Sequence, residues 1–414
     1  MPLRNTPRLG ATCAALGVCL ALLSACRASA PPDEGAPALG TCPSEWTRPF
    51  PVDPEEYPFT SRCLELGHGL VHYIDERPAT GEPKGTVLQI HGNPMWSFMY
   101  RKTTRELVRR GYRVLALDLY GFGMSAKPPL EQFDYRASSH SETVARFVEK
   151  LDLHHLLLVV NDWGGPVGLG MAVRMPERID ALLLTNTWSW EVEPPASGNT
   201  GYMHVVHDWS VENIRNPSKY AETGEIPIRA LRGVARINGA VQGSELYTKL
   251  RDATLGPYIR LEEPYTALLA PGVARPTHVF ARSLLEDAVF LRELDTGMSA
   301  LYGKPVYLMF GDDTAFGPRK CDPGLYESRP ACSEGLVCSV STPRPYNGNC
   351  LGTDGKAPWP YVEHYLSRWR ADQVVGVWTD ASHGQLLPEE VPELMVEAVE
   401  KLSTSAHSRV GHKT

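Results

Sequence analysis

Short apolar runs recur along the chain at Val87–Ile90, Arg113–Leu117, Leu156–Val160 and Ile179–Leu184. Runs of this length, bounded by turn residues and apolar at successive positions, read as strands buried on both faces. Between them, Phe98–Arg110, Ser138–Leu151 and Val167–Met175 carry apolar residues at helical spacing. Such alternation predicts a mostly parallel sheet with helices on both faces. Ahead of it, Cys63–Glu65 and Leu70–Ile74 alternate around Gly67 and Gly69 as a hairpin would. From Trp188 to Glu293 the alternation lapses into helix-like sequence dotted with Tyr and Pro. It resumes as strands at Val306–Phe310 and Val374–Trp378, with a last helix at Val391–Leu402. The economical reading is an α/β core over 59–187 and 294–414, interrupted by a helical cap over 188–293. A cap there would close over the carboxyl ends of the strands, where ligands of such sheets bind. An ordinary second domain is the alternative.

The N-terminal pattern differs. Arg4 and Arg8 precede an apolar stretch from Ala11 to Leu23, followed by Leu23-Ser24-Ala25-Cys26. That stretch is short for a bilayer span and resembles a bacterial lipoprotein signal over 1–25, with Cys26 the lipidated residue. A secretory signal cleaved after Ala28 or Ala30 is the alternative, and both place the mature protein outside the cytoplasm. A lipid anchor would hold it to the membrane, facing the periplasm or the cell surface. Residues 26–58, rich in Pro and Ala, then read as a tether.

Cysteine usage agrees with that compartment. Of nine cysteines, Cys13, Cys19 and Cys26 fall in the signal, leaving an even six. They suit an oxidising environment and up to three disulfides of undetermined connectivity. Cys321, Cys332, Cys338 and Cys350 cluster in an insertion over 317–357, where zinc is the rival reading; no CxxC pair or intervening His supports a metal. The formal charge of −7, with no basic cluster, argues against nucleic acid.

Candidate chemistry centres on Val159-Val160-Asn161-Asp162-Trp163-Gly164-Gly165-Pro166, a strand, a sharp turn and a helix start. This strand-turn-helix elbow commonly presents a serine nucleophile, and here it presents Asp162. A carboxylate with an ordinary pKa near ~3.9 is ionised at neutral pH and can attack an sp3 carbon without a base. The resulting ester then needs a water-activating base and an oxyanion site. The competing role for Asp162 is a helix N-cap.

His91-Gly92-Asn93-Pro94 follows one strand directly and offers backbone N–H groups at its carboxyl end. The N–H groups of Asn93 and Trp163 are the candidate oxyanion donors. Their side chains, a neutral amide and an indole, suit a large, weakly basic anion such as a departing halide. A turn role for Asn93 and core packing for Trp163 are the plainer readings. His383, in the loop between the last strand and the last helix, is the candidate base, against a plain surface histidine. Asp313, preferred over its neighbour Asp312, follows the preceding strand and would orient the imidazole.

Taken together these residues resemble the haloalkane dehalogenases of the α/β-hydrolase superfamily, over about Leu64–Leu402. The motifs that carry the resemblance are His91 to Arg101, Asp118 to Ser125, Asp162 to Pro166 and Asn186-Thr187-Trp188. It implies Asp162 as nucleophile, His383 as base, Asp313 as acid, and Asn93 with Trp163 as halide donors. It further implies a haloalkane substrate, halide and water, with no cofactor or metal. The lipoprotein signal and the Cys-rich insertion depart from the family. The insertion starts four residues after Asp313, at the rim of the expected site, either as decoration or to gate access or bind a partner. Epoxide hydrolase and β-lactone decarboxylase chemistry use similar machinery and stay open; the former would need cap tyrosines, for which Tyr202, Tyr220, Tyr247, Tyr258 and Tyr265 are candidates. A non-catalytic surface binding protein built on the same scaffold is the reading from another class.

Overall fold

The elements expected from the apolar runs form in a computed structural model that describes residues 40–43, 52–192, 210–211, 214–215, 275–311, 337–339, 349–351, 359–380, 383 and 386–410. The signal, Cys26, most of the tether, Asp312, Asp313, and most of the cap and of the Cys-rich insertion lie outside these residues. From Arg62 onward the strands are β1 (Arg62–Glu65), β2 (Leu70–Glu76), β3 (Thr86–Ile90), β4 (Arg113–Leu117), β5 (Leu156–Asp162), β6 (Ile179–Thr187), β7 (Val306–Gly311), β8 (Val337–Ser339), β9 (Asn349–Leu351) and β10 (Val374–Asp380). From Arg62 onward the main sheet has the order β1-β2-β4-β3-β5-β6-β7-β10. The joins β1–β2 and β2–β4 are antiparallel and all later ones parallel. β8 and β9 form a separate antiparallel pair that puts Cys338 opposite Cys350 in register.

The described helices are α1 (Arg101–Arg109), α2 (Ala137–Lys150), α3 (Gly164–Arg174), α4 (Arg275–Glu286), α5 (Ala288–Gly297), α6 (Pro360–Arg368), α7 (Leu387–Glu390) and α8 (Pro392–Val410). Successive strand residues point to opposite faces, which explains why β5 is apolar from Leu156 to Val160. Leu156, Leu158 and Val160 join one core with Phe147 of α2 and Leu169 of α3. Leu157 and Val159 join the other with Leu107 of α1 and Val399 of α8.

Several boundaries differ from the sequence expectation. α8 runs to Val410 instead of ending at Leu402, because Ser403 and Ala406 keep its buried face going beyond the last large apolar residue. Phe280 and Leu284 of α4, in the stretch read as cap, are buried in the main core. Tyr57, in the stretch read as tether, is 5% exposed, hydrogen-bonds Ser97 Oγ at 2.7 Å and packs against Phe59 and Trp96. Nearby a Cys42–Cys63 disulfide ties the incoming segment to β1, with Cα atoms 4.9 Å apart. The bridge spans a sequence separation of 21, and closing a loop of about that size stabilises by roughly 3 kcal/mol on chain-entropy grounds. Among the described residues no helix is long and apolar enough to cross a membrane.

Beyond β4 a buried polar knot holds the Asp118–Ser125 turn. Asp118 accepts from Ser97 N–H at 2.8 Å and Met124 N–H at 2.9 Å, and faces His72 Nδ1 at 2.8 Å. Burial alone would raise the Asp118 pKa, but His72, His91 and the hydrogen bonds outweigh it and hold the carboxyl below its ordinary value of 3.8. A depressed folded-state pKa means that its stabilisation is complete above the ordinary carboxylate range and drains away as pH falls through the folded value. Asp118→Ala is therefore expected to cost about 3–5 kcal/mol at neutral pH. Urea unfolding should show that gap narrowing below roughly pH 4.

Candidate active site

Apolar β5 delivers Asp162 to the carboxyl end of the sheet, and α3 begins two residues later. Asp162 has φ +53, a left-handed conformation that costs a non-glycine residue on the order of 1 kcal/mol and persists only where surroundings enforce it. The turn is tight enough that a Cβ on Gly164 would collide with the carbonyl oxygen of Ile90. The N-cap of α3 is Trp163, with no side-chain cap hydrogen bond, so the helix-capping role considered for Asp162 does not hold. The Asp162 carboxylate is turned toward the neighbouring strand end instead.

There, Asn93 N–H donates to Asp162 Oδ1 at 3.0 Å. The turn that carries Asn93 lies against the elbow: a Cβ on Gly92 would fall on the Asp162 carboxyl group. His91, beside it, is fully buried and committed to structure. Its Nε2 accepts from Leu119 N–H at 2.9 Å, which leaves Nδ1 to donate to the Gly92 carbonyl at 2.8 Å. Burial lowers its pKa against the pull of Asp118, so it stays neutral. Trp163, 3% exposed, packs edge-on to Trp188 at 4.8 Å and tilted against Phe280 at 4.9 Å. Its backbone N–H sits at the N-terminus of α3, where helical N–H groups lack intrahelical acceptors.

His383 follows β10 and is partly buried, with Trp378 at 5.5 Å. Its Nδ1 lies 3.3 Å from Asp380 Oδ2, and its N–H donates to the Asp380 carbonyl at 3.3 Å. Among the described residues no group of three or more His, Cys, Asp or Glu side chains is placed to hold a metal ion.

Comparison with known proteins gives the same architecture. The family described as alpha/beta hydrolase fold matches residues 85–225. Haloalkane dehalogenase 2 of Mycobacterium bovis is 40% identical over 144 residues, 35% of this chain and 48% of that protein. A cis-3-alkyl-4-alkyloxetan-2-one decarboxylase of Shewanella oneidensis is 35% identical over 136 residues, 33% of this chain and 41% of that protein. The chain thus spans about half the length, or less, of these curated relatives. Among solved structures, haloalkane dehalogenase DbeA of Bradyrhizobium elkani superposes with a TM-score of 0.57 at 15% identity, over 84% of this chain and 99% of that one. The fold is that of the α/β-hydrolases.

Within that α/β-hydrolase frame the structure joins two predicted site residues directly, Asn93 and Asp162, and sets Trp163 beside them. His383 occupies the predicted loop after β10. Asp313 lies outside the described residues, two positions beyond the end of β7. Three placements escaped the sequence reading. Asp380 sits at the end of β10, which continues past Trp378. Phe280 forms, with Leu284 one helical turn on, an apolar stripe inside the Tyr- and Pro-dotted stretch. Thr187 ends β6 opposite Asp162.

Proposed function

We propose that this α/β-hydrolase is a haloalkane dehalogenase with Asp162 as its nucleophile. The observation that carries the reading is the hydrogen bond from Asn93 N–H to Asp162 Oδ1 at the elbow. It divides the carboxylate between two tasks. Oδ1 stays in the donor site while the other oxygen attacks the carbon, in line with the leaving group. The C–O bond forms as the C–halogen bond breaks, and the halide takes the bonding pair. The Asn93 amide and the Trp163 indole N–H stabilise it, neutral donors matched to a soft monovalent anion. The product is an alkyl ester on Asp162.

His383 then removes a proton from water as the oxygen adds to the ester carbonyl carbon. The oxyanion develops on the oxygen already facing Asn93 N–H, so this donor needs no reorganisation at the moment of reaction. Trp163 N–H is the second donor. Collapse releases the alcohol and regenerates the carboxylate, and the proton leaves through His383. Asp313 orients the imidazole and stabilises its cation in this reading. The described carboxylate nearest Nδ1, that of Asp380, has the same charge. The Cys42–Cys63 bridge supports an oxidising compartment, in keeping with export and anchoring through Cys26.

A lactone substrate is the second reading, favoured by the similarity to a protein named as an oxetanone decarboxylase. A panel of a short bromoalkane, an epoxide and a β-lactone separates the options. Bromide and alcohol in equal amounts are expected. Consumption of only the epoxide or only the lactone would reassign the electrophile, and consumption of none would favour a binding protein.

A further inference from the structure

The backbone of Asp162 is held from the adjacent strand by a feature specific to β6. Pairing between β5 and β6 runs in step from Leu157 to Asn161, which lies opposite Thr185. The next pair is Asp162 with Thr187, so Asn186 is an extra residue, a bulge. Asn186 takes φ +39, and its Oδ1 accepts from Gly311 N–H at the end of β7 at 2.8 Å. The bulge thereby brings Thr187 alongside the elbow. Thr187 is fully buried, and its Oγ1 donates to the main-chain carbonyl of Asp162 at 2.6 Å. Gly165 leaves the room for this, since a Cβ there would fall on that hydroxyl.

The carbonyl of Asp162 and the N–H of Trp163 belong to one peptide plane, and in a trans peptide they point in opposite directions. Anchoring the carbonyl on one side therefore aims the N–H to the other. We propose that Thr187 is a positioning residue: its hydroxyl sets the 162–163 peptide plane and so aims Trp163 N–H at the oxyanion of ester hydrolysis. The inference rests on the reading of Asp162 as nucleophile and goes beyond it, because it assigns a role in the second chemical step to a residue that touches neither substrate nor water. Alkylation of Asp162 forms no tetrahedral oxyanion and should depend far less on this plane.

The test compares Thr187→Val, Thr187→Ala and Thr187→Ser with the parent enzyme on a short bromoalkane, by steady-state bromide release and by intact mass after acid quench. Loss of the hydroxyl is expected to lower kcat by ~10- to 100-fold, less than outright removal of an oxyanion donor. The alkyl ester should accumulate in turnover while single-turnover bromide release changes little. Thr187→Ser, which keeps the hydroxyl, should return to within about threefold of the parent. The alanine variant carries the same expectation should valine prevent folding. Parent-like kcat without the hydroxyl, a slow variant with no ester build-up, or a serine variant as slow as valine would each overturn the proposal. A parent enzyme that never carries an ester would instead overturn the nucleophile reading, and this inference with it.

Discussion

Asp162→Ala should release no bromide from a short bromoalkane above background, a fall of about four orders of magnitude or more, as is usual when a nucleophile is removed. Without the carboxylate no ester forms, and the halide site alone cannot supply an attacking atom. Backbone effects need separating from chemistry, because residue 162 sits at φ +53, where alanine is strained and glycine is not. Asp162→Gly relieves that strain and should be equally inactive. Bromide assays alongside thermal melts check both variants: a glycine variant that folds and still turns over would remove Asp162 from the mechanism.

His383→Ala should fail differently. The first step needs no base, since the carboxylate is ionised, so one equivalent of bromide per enzyme should appear in a burst and turnover should then stop. Only hydrolysis of the ester calls on His383. His91 cannot substitute, because both its ring nitrogens are committed and burial weakens it as a base. A His383 variant that keeps turning over would reassign the base.

Much of this was legible from pattern alone. Strands such as β5 carry unbroken apolar runs, here Leu156–Val160, because helices cover both faces, and that continuity identifies a parallel sheet without reference to contacts. The elbow was legible because Gly164 and Gly165 are required where α3 starts against β3 and β6. What stayed hidden has physical reasons. A bulge at Asn186 leaves no trace in a strand's two-residue period, so nothing in the chain placed Thr187 opposite Asp162. Asp380 continues β10 on polar residues, after the apolar run that marks the strand has ended. The Phe280–Leu284 stripe is too short to stand out in a stretch dotted with Tyr and Pro. The pairing of His72 with Asp118 joins a position on β2 to the residue just after β4, which no local pattern connects.

In the proposed reaction the carboxylate of Asp162 becomes covalently bonded to substrate carbon. That bond is tested most directly by treating His383→Ala with a bromoalkane, digesting it, and locating the added alkyl group by tandem mass spectrometry. One alkyl group is expected, on Asp162 and removable by mild base. An unmodified Asp162, with bromide still released or with the alkyl group on another residue, would contradict it.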